Sequence, residues 1–221
     1  MKKPALVIIL VLLIDQISKF WIKTNMYLGQ EHHIIGDWFI IHFTENNGMA
    51  FGMEFGGELG KIALTIFRIL AVSGISYYLW FLIKNKAHHL LILSISLIFA
   101  GALGNIIDST FYGIWFSSST YEIAQFLPEG GGYSSILQGK VVDILYFPIY
   151  KGYLPEFLGG RYFEFFGPVF NIADTAISTG VGLLIIVQLF VKHDHVENDV
   201  KSPTAEEASE SSDATEDKIM E

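Results

Sequence analysis

Four apolar runs, each long enough to cross a lipid bilayer as a helix, limit how this sequence can fold. They are Pro4–Ile22, Ile62–Ile83, Leu90–Ile107 and Pro168–Val191. A helix of about 20 residues rises ~30 Å, which matches the hydrocarbon core of a bilayer. The composition agrees, because 51% of the residues are hydrophobic and only 17% are charged, which is unusual for a soluble domain. We therefore predict an all-α membrane fold, a bundle of four transmembrane helices.

Two long connections and one short connection join the four apolar runs. The long ones cover residues 23–61 and 108–167, and the short one is Lys84–His89. Within the first, Trp38–Thr44 has the pattern of a strand and precedes the turn signal Glu45–Gly48. We expect the long connections to form a small extracytoplasmic cap that contains β-structure.

Lysines near the helix ends indicate how the bundle crosses the membrane. Lys2, Lys3, Lys84, Lys86 and Lys192 flank both chain ends and the short connection. Because basic residues concentrate on the cytoplasmic side, we expect both termini in the cytoplasm and both long connections on the outer face. A cleaved signal peptide is the alternative for the N-terminus, but the apolar run continues without a small-residue cleavage site.

The last 29 residues differ sharply in composition from the rest of the chain. Residues 193–221 hold ten acidic residues and two lysines, and so carry −8 of the formal net charge of −9. Such a stretch buries too little apolar surface to offset the entropy lost on ordering. We predict a membrane domain over 1–192 and a disordered acidic cytoplasmic tail over 193–221, with no nucleic-acid partner.

Polar residues inside the apolar runs lie in pairs at the predicted outer ends. The pairs are Asp15 with Lys19, Asn105 with Asp108, and Asn171 with Asp174. Residues three or four apart share one face of a helix, and polar groups in a membrane turn towards the bundle interior. The pattern therefore predicts three polar faces that meet inside the bundle at one depth.

Each pair also has a purely structural interpretation. Asp15 and Lys19 suit an internal ion pair. Asn171 and Asp174 suit a helix N-cap followed by an acid at the third helical position. Asn105 and Asp108 can simply end a helix, and Gly101 with Gly104 can allow close helix packing.

Asp143 favours a catalytic interpretation, because an acid rarely has such apolar neighbours as Val141, Val142 and Ile144. If its segment folds back over the bundle, Asp143 can approach Asp174. Two adjacent carboxylates in a poorly solvated place share one proton near neutral pH. Aspartic proteases use this arrangement to activate water against a peptide bond, without a cofactor.

Other chemistries fit the sequence less well. The chain has no cysteine, which excludes disulfides and thiolate chemistry. The histidines that adjoin in sequence, His32–His33 and His88–His89, would diverge on a helix and so disfavour a metal site. Ser117–Ser119 have no histidine close by in sequence, which is weak evidence against a serine nucleophile.

Five motifs in order resemble those of the lipoprotein signal peptidase family, also called signal peptidase II. They are Asp15-Gln16-Ile17-Ser18-Lys19, Asn46-Asn47-Gly48-Met49-Ala50-Phe51, Gly101-Ala102-Leu103-Gly104-Asn105-Ile106-Ile107-Asp108, Val141-Val142-Asp143 and Phe170-Asn171-Ile172-Ala173-Asp174. Apart from loop insertions, the resemblance covers residues 5–190.

The resemblance implies a monomeric, multi-pass aspartic endopeptidase of the bacterial inner membrane with its active site at the outer face. Its substrates would be prolipoproteins, cut on the N-terminal side of a cysteine that carries diacylglycerol, and membrane lipids would surround it. The catalytic residues would be Asp143 and Asp174, with no metal or cofactor. The supporting or substrate-binding residues would be Asp15, Lys19, Asn46, Gly48, Asn105, Asp108 and Asn171.

The chain departs from the family pattern at several points. Ser109 stands where the family usually has an arginine, so the positive charge near the site is either missing or supplied from elsewhere, with Lys140 and Arg161 as candidates. Met49 replaces a small residue, and segments 114–138 and 151–166 look like insertions.

Two other functions remain open from the residues alone. Intramembrane acids and lysines also occur in ion- or proton-coupled transporter components, although here they lie at one end only. A non-catalytic membrane scaffold is the third possibility.

Overall fold

The computed structural model describes residues 2–48 and 57–200, which form helices and short strands. The helices are α1 (Lys2–Asn25), α2 (Gly57–Lys84), α3 (His89–Ile107), the short α4 (Gly113–Trp115) and α5 (Ile172–Val200). A π-helical turn, Asp108–Tyr112, joins α3 to α4. The strands are β1 (Glu31–Ile35), β2 (Phe39–Asn46), β3 (Val141–Tyr146), β4 (Tyr150–Tyr153) and β5 (Tyr162–Phe165).

Within the described residues, the four predicted transmembrane helices are confirmed in number and order. The segments long and apolar enough to cross a membrane are Lys2–Asn25, Leu59–Lys84, His89–Trp115 and Ile172–Leu189. The prediction for the fourth helix began four residues too early, at Pro168. Phe170 instead pairs with Leu145 in a β-bridge, and the helix starts at Ile172.

Helix α3 is the centre of the bundle, because it contacts α1, α2 and α5, and α5 most extensively. Glycines allow this close approach, as the sequence suggested. A Cβ on Gly101 would collide with the carbonyl oxygen of Ala173 on α5. A Cβ on Gly104 would lie 2.8 Å from Oδ2 of Asp15 on α1. Both positions therefore require a residue without a side chain.

Two small antiparallel sheets lie at the end of the bundle where α1 and α3 end and α2 and α5 begin. One has the order β1-β2-β3, and the other pairs β4 with β5. The strand predicted over Trp38–Thr44 is confirmed as β2, whereas the other four strands were not predicted. The all-α description therefore understates the β-structure in the cap, which brings Asp143 on β3 opposite Thr44 on β2.

The insertion 114–138 packs into the core beneath the larger sheet. Phe116 and Ala124 of this insertion are buried together with Ile22 and Met26 of α1 and Phe43 of β2. The second insertion, 151–166, includes most of the β4–β5 hairpin, and its aromatic side chains, such as those of Tyr153 and Phe157, are exposed. The first insertion thus supports the fold, and the second extends its surface.

The acidic tail was predicted to begin at residue 193, but the last helix extends beyond this boundary. Helix α5 continues to Val200, so residues 193–200 are helical where disorder was predicted. Once a helix has formed, each added residue gains a hydrogen bond, and no glycine or proline interrupts the chain between Gly182 and Val200. Residues 201–221, and Met49–Phe51 of the second motif, lie outside the described residues.

We predict that Gly101→Ala destabilises the bundle, because the new methyl group must displace the backbone of α5. The expected cost is about 1–3 kcal/mol, seen as a lower midpoint of thermal unfolding in detergent. Gly74→Ala on α2 is the matched control, since nothing lies within 4 Å of its Cβ position. Equal shifts for the two variants would contradict the close packing of α3 on α5.

Candidate active site

Polar side chains from three helices and two strands meet at the end of the bundle beside the larger sheet. The structure brings together Asp15 and Lys19 of α1, Asn46 of β2, Asn105 of α3, Asp108 of the π-helical turn, Asp143 of β3 and Asn171 and Asp174 at the start of α5. Gly48 joins this cluster through its own amide, which donates to Asn46. All nine residues singled out in the sequence therefore lie in one place.

Lys19 is completely buried and neutralises two buried carboxylates. Its Nζ lies 2.9 Å from Oδ2 of Asp15 and 2.8 Å from Oδ2 of Asp108, and it also donates to Oδ1 of Asn105 at 2.9 Å. Gln16 donates to the other oxygen of Asp108 at 2.9 Å. The predicted Asp15–Lys19 pair is confirmed, and Asp108, which the sequence placed at the end of another helix, is a third member.

Asn171 and Asp174 form the reciprocal cap that their spacing predicted. The amide of Asp174 donates to Oδ1 of Asn171 at 2.9 Å, and the amide of Asn171 donates to Oδ2 of Asp174 at 3.3 Å. Asp15 adds to this cap, because its Oδ1 accepts the amide of Ala173 at 2.9 Å. Three amides at the start of α5 thus donate to three side chains.

The carboxylates of Asp143 and Asp174 are linked through two asparagine amides. Nδ2 of Asn171 donates to Oδ1 of Asp143 at 2.9 Å and to Oδ1 of Asn105 at 3.2 Å. Nδ2 of Asn105 in turn donates to Oδ1 of Asp174 at 2.8 Å. On its other side, Asp143 accepts a hydrogen bond from Asn46. The two acids, 31 positions apart in sequence, therefore share one network.

The environment of Asp143 favours its protonated form. Burial disfavours the charged carboxylate, and the nearby charge of Asp174 acts in the same direction, which together raise the pKa of Asp143 to about 7. Hydrogen bonds from Asn46 and Asn171 oppose this shift with smaller effect. Near neutral pH, Asp143 can therefore hold or release a proton.

A second buried ionic cluster lies beside the first and was not predicted. Lys23 of α1 pairs with Glu45 of β2 and donates to Oγ of Ser119 at 2.8 Å. Lys140 lies 3.6 Å from the same carboxylate, and the ring of Tyr133 lies near both lysines, 5.0 Å from Nζ of Lys23 and 5.8 Å from Nζ of Lys140. This cluster anchors the insertion to α1 and β2.

The cation that faces Asp174 is Arg68 of α2, and neither expected candidate takes this place. Lys140 pairs with Glu45, and Arg161 is exposed on the β4–β5 hairpin. Arg68 is half-buried, attracts Asp174 and donates to the carbonyl of Gly48. A lone arginine in the second apolar run was the sequence signal that could have identified it.

A cavity of about 240 Å³ lies beside this arginine, between α2, α3 and α5. Arg68, Asn105 and Asp174 supply its polar wall, and Phe67, Ala71, Val72, Ile75, Ala102, Ile106 and Ile177 supply apolar walls. One carboxylate of the linked pair is therefore reachable from a space within the bundle.

Within residues 2–48 and 57–200, no three His, Asp or Glu side chains are grouped in a way that could hold a metal ion. His32 and His33 lie on the exposed strand β1. The rings of His88 and His89 are 4.5 Å apart, before and at the start of α3.

The fold and the polar cluster define a multi-pass membrane protein with a carboxylate site at one end of its helix bundle. A family model described as signal peptidase (SPase) II matches residues 7–190. The lipoprotein signal peptidase of Porphyromonas gingivalis is 50% identical over 189 residues, which cover 84% of this chain and 82% of that one. The lipoprotein signal peptidase of Amoebophilus asiaticus is 39% identical over 183 residues, covering 80% and 74%.

Solved structures agree with this assignment. A bacterial membrane enzyme determined by the in meso method at 1.9 Å resolution superposes with a TM-score of 0.58 at 29% identity, covering 86% of this chain and 94% of that one. The chain belongs to the signal peptidase II family, and it is a membrane protease that cleaves the signal peptides of prolipoproteins.

We predict that Lys19→Met strongly destabilises the protein, because Asp15 and Asp108 would be left buried without a counter-ion. Breaking a buried ion pair in this way costs about 3–5 kcal/mol, measurable as a lower unfolding midpoint in detergent. Lys84→Met is the matched control, since Lys84 is an exposed lysine in the last turn of α2. If both variants unfold alike, the buried triad does not stabilise the bundle.

Proposed function

We propose that Asp143 and Asp174 form the catalytic pair of an aspartic endopeptidase that cuts prolipoproteins on the N-terminal side of the diacylglyceryl cysteine. The observation that carries this proposal is the network of Asn171 and Asn105 that joins the two carboxylates. A shared proton on two neighbouring carboxylates is what water activation at a peptide bond requires. No cofactor is needed for this reaction.

The surroundings of the two acids suggest how the roles divide. Asp143 has a pKa raised to about 7 by burial and by the charge of Asp174, which favours it as the proton donor. Asp174 lies in the first turn of α5 and faces Arg68. With Asp143 as the donor, Asp174 is the base that takes the proton of water in this proposal.

The reaction then proceeds in two balanced steps. Asp174 takes a proton from water as the water oxygen attacks the carbonyl carbon, and Asp143 gives its proton to the carbonyl oxygen. The tetrahedral intermediate collapses when the amide nitrogen takes the proton from Asp174 and the C–N bond breaks. Asp143 regains its proton from a hydroxyl of the intermediate, and both acids return to their starting states.

The remaining residues of the cluster would hold this pair in place. Asn46, Asn105 and Asn171 donate to its carboxylates. The Lys19 triad would keep α1 and α3 in register with the start of α5, since Asp15 accepts the amide of Ala173. In this proposal, the Gly48 turn positions Asn46 through its amide.

The substrate would reach the pair from within the bilayer. The cavity between α2, α3 and α5 holds Asp174 and is largely apolar, which suits the residues of a signal peptide. The acyl chains on the cysteine would remain among membrane lipids, so that no deep aqueous pocket is needed. Exposed aromatic side chains of the β4–β5 hairpin, such as Tyr153, suit the membrane interface.

This proposal includes an orientation in the inner membrane, with the site at the outer face and both termini in the cytoplasm. Lys2, Lys3, Lys84 and Lys86 lie at the ends of α1, α2 and α3 remote from Asp143 and Asp174, as the positive-inside rule requires. The protease domain would extend over 1–192, followed by the acidic tail, and would act as a monomer.

A transporter component is less well supported. Conduction needs polar groups along the whole depth of the bundle. The opposite end of α2 and α3 is instead packed with Leu79, Leu82 and Ile95. The buried Ser94 and Ser96 in that region donate to carbonyls of their own helix.

We predict that Asp143→Asn and Asp174→Asn each reduce prolipoprotein cleavage by at least about a thousandfold, because an amide can neither give nor take the required proton. Cleavage is measured with a diacylglyceryl prolipoprotein in vesicles that contain the purified enzyme. Asp37→Asn is the matched control, because Asp37 is 96% exposed, and it should cleave like wild type. Retained cleavage by either dyad variant would refute the assignment.

The pKa of Asp143, raised to about 7, predicts the alkaline limb of the pH–rate profile. Because the proton donor must be protonated, the rate should fall above this pH, approaching tenfold per pH unit. A cleavage rate that still increases at pH 9, in vesicles whose protein remains folded, is incompatible with Asp143 as the donor.

A further inference from the structure

We infer that Arg68 is a positioning residue of the catalytic pair, which supplies the positive charge that faces Asp174 and holds the turn that orients Asp143. This inference rests on the proposed function, because it assigns a role relative to Asp143 and Asp174. Arg68 lies outside the five motifs that identify the family in this sequence, and it is contributed by α2, the one long helix that carries none of the nine residues discussed above.

Three hydrogen bonds connect Arg68 to Asp143. Nη2 of Arg68 donates to the carbonyl of Gly48, the amide of Gly48 donates to Oδ1 of Asn46 at 2.5 Å, and Nδ2 of Asn46 donates to Oδ2 of Asp143. Gly48 has a φ of +82°, and a Cβ at this position would collide with the guanidinium. The turn thus places a backbone carbonyl directly against Arg68.

Arg68 also reaches the second acid of the pair. It lines the 240 Å³ cavity together with Asp174 and Asn105, and its charge attracts that of Asp174. The asparagine network links the two acids on one side, through Asn171 and Asn105. On the other side, the Gly48 turn connects Arg68 to Asp143 by hydrogen bonds, and Arg68 and Asp174 line the same cavity.

The charges around Asp174 show why this cation matters. The elements around Asp174 carry several charged residues: Asp15 and Lys19 of α1, Arg68 of α2, Asp108 of the π-helical turn and Asp143 of β3. Lys19 lies within 2.9 Å of two carboxylates, which neutralise it. Lys23 and Lys140 pair with Glu45. Arg68 differs from these lysines, because its charge acts on Asp174 and it lines the cavity beside that carboxylate.

This arrangement has a consequence for proton transfer. An ionised Asp174 beside Asp143 is unfavourable in a poorly solvated site unless a cation compensates it. With Arg68 in place, the pair can hold one proton on Asp143 and one negative charge on Asp174. Without Arg68, that negative charge is left uncompensated.

The test compares Arg68→Gln, Arg68→Lys and Lys61→Gln in the vesicle cleavage assay. Lys61 is the matched control, because this other cation of α2 contacts the same turn, with Nζ 2.9 Å from Oδ1 of Asn47. For each variant, kcat, KM and the pH–rate profile are measured, together with the unfolding midpoint. The pH–rate profile is measured on the activity that remains in each variant. A smaller folded fraction lowers that activity at every pH, so it does not move the limbs of the profile.

Arg68→Gln should lower kcat by about tenfold or more while KM changes less than about threefold. Its pH–rate profile should change, with the acidic limb displaced from its wild-type position, since the pair loses its neighbouring cation. Arg68→Lys keeps the charge but not the planar fork, so it should leave the acidic limb near the wild-type position and recover part of kcat. Lys61→Gln should leave the acidic limb unmoved.

Wild-type kcat and pH profile in Arg68→Gln would overturn the inference. An equal loss of kcat in Arg68→Gln and Lys61→Gln, with unchanged pH–rate profiles, would also overturn it. Both residues would then only hold the turn in place. Asp143→Asn, assayed in parallel, distinguishes the two failures. If it still cleaves, the catalytic pair itself is wrong, whereas an inactive Asp143→Asn beside a wild-type Arg68→Gln refutes only the role of Arg68.

Discussion

The buried ammonium of Lys19 is the interaction on which the rest of the site depends. A charge inside an apolar bundle is tolerated only when opposite charges and hydrogen bonds surround it, and Lys19 recruits Asp15 and Asp108 for this purpose. The other oxygen of Asp15 accepts the amide of Ala173 on α5, and Asp108 accepts the amide of Val142 on β3 at 3.3 Å. One ion triad therefore fixes the starts of both segments that carry the acids of the proposed pair.

Structural and catalytic interpretations of the same residues turn out to be compatible. An asparagine side chain accepts at one end and donates at the other. Oδ1 of Asn171 caps α5 by accepting the amide of Asp174, while its Nδ2 donates to Asp143. Asp174 takes part in the cap through Oδ2 and accepts from Asn105 through Oδ1. The cap that begins α5 thus also orients the proposed pair, and substitution at Asn171 would affect stability and activity together.

The features that the sequence predicted well are those with a local signal. Long apolar runs define membrane helices by length alone, and the Asn171–Asp174 spacing is a capping pattern within one turn. Strands β1, β4 and β5 pair with segments close in sequence and were overlooked, whereas β3 was missed because its partner lies far away in sequence, with Asn46 opposite Val141. The Lys23–Glu45–Lys140 cluster and the contact of Arg68 with Gly48 were missed for the same reason. Helix α5 passed its predicted end because polar composition does not by itself stop a helix.

By itself, the sequence determined the four-helix membrane bundle, the end of the bundle at which polar residues gather and the family to which the chain belongs. These follow from hydropathy and from residue spacing, which act over a single helix or motif. Only the tertiary structure decided which cation faces Asp174, how Asp143 on a strand is joined to Asp174 on a helix, and where the insertion 114–138 packs. Electrostatic partners in a membrane are chosen by proximity in space, since a buried charge must be balanced by whatever group the packed helices bring within reach.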